Sequence, residues 1–197
     1  MTSEGGCRLL NRILGAAAVI GLVGAFFGSG GLALFTDTQS VGSNTFTTGT
    51  VDISSSPTTA LVTFSAMAPG DQVTAPITVN NAGTMQFRYA VTSTTTENVL
   101  AAELDMTIKS GVTTCTTGGF SADGTVVYAT GDLGSTAGVN VIGNPAQGTH
   151  AGDRVLAASA SEILCFNVSL PLGATNASQG LTSTATLAFA AEQTANN

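Results

Sequence analysis

Met85-Gln86-Phe87-Arg88-Tyr89-Ala90-Val91-Thr92 sets Met85, Phe87, Tyr89 and Val91 on one parity and Gln86, Arg88, Ala90 and Thr92 on the other. Successive side chains of an extended chain point to opposite faces, so this alternation predicts a strand with one buried face and one wet face. The same pattern recurs downstream. Leu104, Met106 and Ile108 alternate with Asp105, Thr107 and Lys109. Leu164, Phe166, Val168 and Leu170 alternate with Cys165, Asn167 and Ser169, and Leu187, Phe189 and Ala191 with Ala188 and Ala190. Less regular strands are readable at 51–53, 60–64, 73–79 and 125–129. Turn signals separate them: Ala68-Pro69-Gly70-Asp71, Asn80-Asn81-Ala82-Gly83, Ser121-Ala122-Asp123-Gly124 and Gly143-Asn144-Pro145. Many short strands joined by Gly, Asn and Pro turns predict an all-β fold, an antiparallel jelly roll or β-sandwich. Two stretches break the pattern. Residues 97–103 read as a helical turn, and 133–160, rich in Gly, Ala, Ser and Asn, as a long loop with a short helix at 152–160.

The segment ahead of these strands reads differently. Arg8 and Arg12 precede an uncharged run from Ile13 to Thr36, followed within it by the small residues Gly30, Gly31 and Ala33. A basic start, an apolar centre and a small-residue end are the layout of a secretory signal. Gly31 and Ala33 supply the −3 and −1 side chains, so cleavage is expected between Ala33 and Leu34. The rival reading is a retained anchor, because the uncharged run exceeds the roughly 20 residues that span a bilayer. Glycines at 28, 30 and 31 favour cleavage. Cys7 lies before the arginines rather than after the apolar run, the wrong order for a lipid anchor. The expected organisation is therefore a signal peptide at 1–33, an N-terminal segment and joint at 34–45, and a β-sandwich domain at 46–197. The chain is expected to be secreted, extracellular or held at the cell surface, meeting a membrane only through an uncleaved signal.

Charge removes one large class of function. Five basic residues stand against twelve acidic ones in 197, a net charge of −7. No basic face is available for a phosphate backbone, so nucleic acid is not an expected partner. Beyond the signal the cysteines are Cys115 and Cys165 alone. An even pair in an exported chain points to a disulfide, the alternative being two separately buried thiols. A bridge across 50 positions is worth about 4 kcal/mol on the chain-entropy model.

A search for chemistry returns little. The one histidine, His150, sits in Gly148-Thr149-His150-Ala151-Gly152, where nothing nearby in sequence orients it as a general base. There is no His-Glu-x-x-His and no C-x-x-C, so neither usual zinc framework can be assembled, and no cofactor is expected. Asp52, Asp71, Asp123, Asp132 and Asp153 offer oxygen ligands for calcium, but they are isolated rather than spaced as an EF-hand, which favours turn capping. Asn167-Val168-Ser169 and Asn176-Ala177-Ser178 match the glycosylation acceptor pattern, a short one that arises often by chance.

One ordered set of motifs rises above composition. Gly30-Gly31-Leu32-Ala33-Leu34-Phe35-Thr36-Asp37-Thr38 is followed by Asn44-Thr45-Phe46-Thr47-Thr48-Gly49-Thr50-Val51-Asp52-Ile53. Next come Met67-Ala68-Pro69-Gly70-Asp71, then Ile77-Thr78-Val79-Asn80-Asn81-Ala82-Gly83-Thr84, and finally Ala188-Phe189-Ala190-Ala191-Glu192-Gln193. In this order and spacing they resemble the TasA/camelysin family of exported proteins, over about 34–91 and 175–194; the centre, with Cys115 and Cys165, diverges. The resemblance implies processing by a SipW-type signal peptidase and a jelly-roll subunit of biofilm-matrix fibres. It implies self-assembly into filaments by donor-strand exchange, in which Leu34, Phe35, Asp37 and Val41 enter the next subunit. It also carries a metalloprotease label, for which this sequence supplies no recognisable zinc motif, so no enzyme is expected. The alternatives are a monomeric secreted adhesion or binding module and a camelysin-like surface metalloprotease.

Overall fold

Turn chemistry sets the limits of the first long strand. In the computed structural model, which describes residues 47–58 and 67–195, the Asp71 N–H donates to Ala68 O at 2.9 Å, and the Ala68 N–H donates to Asp71 Oδ2 at 2.8 Å. Gly70 supplies the positive φ (98°) this reversal requires. The strand β2 (Gln72–Asn81) follows at once. It ends where the Asn81 amide turns inward, donating to Met85 O and Leu156 O and accepting from the Gly83 N–H. Asn81 is buried, and these bonds satisfy its side-chain amide.

Nine strands are described: β1 (Ile53–Ser56), β2, β3 (Phe87–Thr95), β4 (Asp105–Ser110), β5 (Thr125–Asp132), β6 (Val139–Ile142), β7 (Arg154–Leu156), β8 (Ser161–Ser169) and β9 (Ala185–Gln193). They form two antiparallel sheets. Sheet A has the order β1-β2-β8-β4-β5. In sheet B, β3 pairs with β9 along one edge and with β6 and β7 in turn along the other. Ile77 and Val79 from β2, Met106 and Ile108 from β4, and Leu164, Phe166 and Val168 from β8 meet Phe87, Tyr89 and Val91 from β3 in one core. This is the all-β sandwich that the alternation predicts. Residues 99–103 make the expected helical turn, α1 (Val99–Glu103). The Glu97 carboxylate accepts from the N–H groups of Val99, Leu100 and Ala101 at 2.7, 2.9 and 3.1 Å, satisfying donors that a helix start leaves open.

Three expectations need correction. The stretch 133–160 is not a loop with a helix at 152–160: it contains β6 and β7, whose backbones pair with β3. Gly152 and Ser159 hold positive φ, which a helix across 152–160 does not allow. The first strand lies at Ile53–Ser56 rather than 51–53. And β3 and β8 are not wet on one face, because Arg88, Ala90, Cys165 and Asn167 are buried as well. The expected strand at 60–64 lies outside the described residues.

Candidate functional site

The last strand leaves an edge and part of a face open among the described residues. On β9, Thr186, Ala188 and Ala190 are exposed, while Ala185, Leu187, Phe189 and Ala191 turn toward the core and are only half-buried. Phe189 meets Tyr89 with ring centroids 6.3 Å apart. Among the described residues no strand pairs with the outer edge of β9. An apolar row half-covered beside an unpaired backbone edge is the arrangement that an incoming strand completes, through main-chain hydrogen bonds and side chains of one parity. The residues expected to supply that strand, Leu34, Phe35, Asp37 and Val41, lie outside the described residues, as does the expected cleavage point between Ala33 and Leu34.

Two arginines are paired with glutamates. Arg88 Nε donates to Glu192 Oε1 at 2.6 Å, and the same guanidinium donates to Thr149 Oγ1. Arg154 forks onto Glu162 at 2.5–3.0 Å, and Tyr89 donates its hydroxyl hydrogen to Glu162 Oε1 at 2.6 Å. Burial raises the Tyr89 pKa, helped by that carboxylate, so the phenol stays protonated. The bond to Glu162 raises Arg154. Arg88, Asn144, Asp153 and Glu192 line a shallow recess over sheet B. Gly148 N–H donates to Glu192, which ties the loop 143–153 down across Arg88.

Of the remaining candidates, His150, Asp71, Asp123 and Asp153 have structural work. His150 Nδ1 lies 3.1 Å from Gly148 O, and its ring is 3.9 Å from Asp153. Asp153 accepts from the N–H groups of Asn144 and His150, and Asp123 from the Thr113 N–H. With Asp71 these are turn caps. Asn167 is buried and donates to Gln72 Oε1 and Thr74 Oγ1, whereas Asn176 is exposed. Cys115 and Cys165 are joined, with Cα atoms 5.6 Å apart. The bridge pins the segment 111–124 over the outer face of β8. Lys109, beside Cys165 in the sheet, donates to Phe120 O at 2.8 Å and stands 4.7 Å over the Phe120 ring. The sequence offered the cysteine pair but no sign of this second clamp, because a cation donating to backbone carbonyls leaves no pattern in residue types.

No curated protein matches the chain. The family model described as camelysin metallo-endopeptidase matches residues 9–110. That stretch contains no His and no Cys, and its described acids include Asp71 and Glu97, which cap turns, and Glu103, which accepts from the Thr175 N–H and hydroxyl. A catalytic zinc takes three protein ligands and leaves an open position. Among the described residues no three His, Cys, Asp or Glu side chains group to hold a metal ion, and the one imidazole lies outside the matched stretch, so these residues do not fit such a centre. The match itself runs from Leu9 to the end of β4 and covers more than half of the chain, and on it the chain belongs to the camelysin metallo-endopeptidase family.

Proposed function

We infer that this chain is a secreted structural subunit of extracellular, biofilm-type matrix fibres. The observation that carries the reading is the half-buried row of Leu187 and Phe189 beside the open edge of β9. The occupant is the segment 34–41 of another copy, released by signal cleavage before Leu34. Phe35 is its main anchor, worth roughly 1.5–3 kcal/mol when fully buried, and Val41, of the same parity, joins it. Asp37 shares that parity too and sits at the mouth of the groove. Each copy donates at one end and accepts at another, so contacts of this heterologous kind run on into a filament.

The test is negative-stain microscopy of protein beginning at Leu34, beside the same protein lacking 34–40 and the Phe35→Ala variant. Filaments from the first, few from the other two, and an unchanged melting temperature in Phe35→Ala are expected; equal filament yield from all three sinks the reading. The family's description favours a peptidase as the second reading. Casein cleavage by this protein, abolished by a chelator and restored by zinc, would establish it.

A further inference from the structure

We propose that 111–124 is a strap that seats on sheet A before the Cys115–Cys165 bridge closes, and that Lys109 is the residue that positions it. Ser110 and Thr125 are aligned at the end of the β4–β5 ladder, so 111–124 is the connection of a β-hairpin. Such connections usually run to about two to five residues. This one is far longer and folds back over the outer face of the sheet, across β4 to β8. Gly111 and Gly124, at its two ends, take positive φ (69° and 87°) where the chain leaves the ladder.

The strap has contacts of its own that do not involve the bridge. Lys109 Nζ donates to Phe120 O at 2.8 Å and to Asp123 O at 3.3 Å, below the Phe120 ring. Within the strap the Phe120 N–H donates to Thr116 O at 2.8 Å, and the Asp123 carboxylate accepts from the Thr113 N–H at 3.1 Å. Lys109 and Cys165 stand opposite one another in the β4–β8 ladder, so a strap gathered on the ammonium lies over Cys165. Holding the loop there removes most of the closure entropy that a free loop would lose when Cys115 reaches its partner.

Access sets the order of the chemistry. Cys165 is 1% exposed beneath the strap, whereas Cys115 is half-buried between the exposed Thr114 and Thr116. A low-molecular-weight disulfide is the oxidant. The Cys115 thiolate attacks one of its sulfurs, breaks its S–S bond and releases one thiolate. The Cys165 thiolate then attacks Cys115 Sγ and expels the second. The two cysteines give up two electrons and two protons, and the reagent leaves as two thiols. Only the second step depends on where the strap lies. This role is independent of the fibre reading.

The rate of that second step tests it. The core described above draws on no residue before Ile53, so the protein beginning at Leu34 is used, which leaves Cys115 and Cys165 as its cysteines. It is reduced without denaturant, mixed with glutathione disulfide and quenched in acid, and mass spectrometry resolves thiol, mixed disulfide and bridge. Lys109→Met should form the mixed disulfide at the parent rate but close it about tenfold more slowly, the size of one hydrogen bond to a charged group. Lys109→Arg, which still donates to carbonyls, should restore closure, and in concentrated guanidinium chloride all should close alike. Equal closure of Lys109→Met and parent without denaturant overturns the proposal, as does a difference that persists in denaturant. Asp123→Ala frees the strap from Thr113 but leaves the cation beside Cys165, and it should also slow closure. An unchanged rate there would mean that Lys109 acts on the thiol by charge, and the positioning role would fall.

Discussion

β8 and β9 carry the same apolar alternation in sequence and end in different surroundings. β8 lies between β2 and β4, with the segment 111–124 fastened across its outer face, and Leu164 to Val168 are buried without a break. Among the described residues β9 has β3 on one side only, and its inward residues stay half-buried. Alternation therefore fixes which side chains share a face, and the neighbours on both edges and both faces fix how deep that face lies.

The largest test of this contrast is a matched truncation. Phe166 is 0% exposed, and Phe166→Ala should cost about 3–5 kcal/mol, since a buried aromatic leaves a cavity the core cannot close. Phe189→Ala should cost less than half of that by chemical denaturation; equal losses would mean that β9 is as enclosed as β8. The next effect in size is the bridge. Reducing Cys115–Cys165 should lower stability by about 4 kcal/mol, the loop-closure value for its length, and should raise hydrogen exchange in β8 and 111–124 while leaving β9 protected. Loss of protection in β9 first would place the weak point elsewhere.

The smallest effect is at the loop that leads out of sheet B. Burial opposes ionisation of Glu97, but hydrogen bonds from the N–H groups of Leu100, Ala101 and Val99 outweigh it and hold the carboxyl below its ordinary value. A depressed carboxylate contributes stability above its unfolded pKa, and that contribution is lost as pH falls through the folded value. Glu97→Gln should therefore melt a little lower than the parent at pH 7, and the gap should narrow in acid below about pH 4, the ordinary range for Glu. A gap that is constant with pH would mean that shape rather than charge makes the cap.

Most of the strand framework was legible, because alternation is a local pattern and the turns that bound it use Gly, Asn and Pro. β6 and β7 were not. Val139-Asn140-Val141-Ile142 and Arg154-Val155-Leu156 are too short to show a period, and they are strands because β3 offers them an edge. The burial of Arg88 was hidden for a related reason: its cover comes from Thr149 and Glu192, far away in sequence. At the candidate site, Phe189 was readable as a strand residue, but its partial burial depends on which strands the fold sets beside β9.

The pairing of β3 with β9 also sets a schedule. Phe87 aligns with Gln193 and Thr95 with Ala185, so nine rungs of sheet B join chain segments about a hundred residues apart, and β2 waits in the same way for β8. Folds dominated by such distant pairings close slowly, in milliseconds to seconds, because loop entropy is lost before contacts reward it. A chain delivered from its N-terminus has β3 in place well before the strand that completes it. Until β9 arrives β3 has one edge unpaired, and a chain broken off before Ala185 would never complete sheet B.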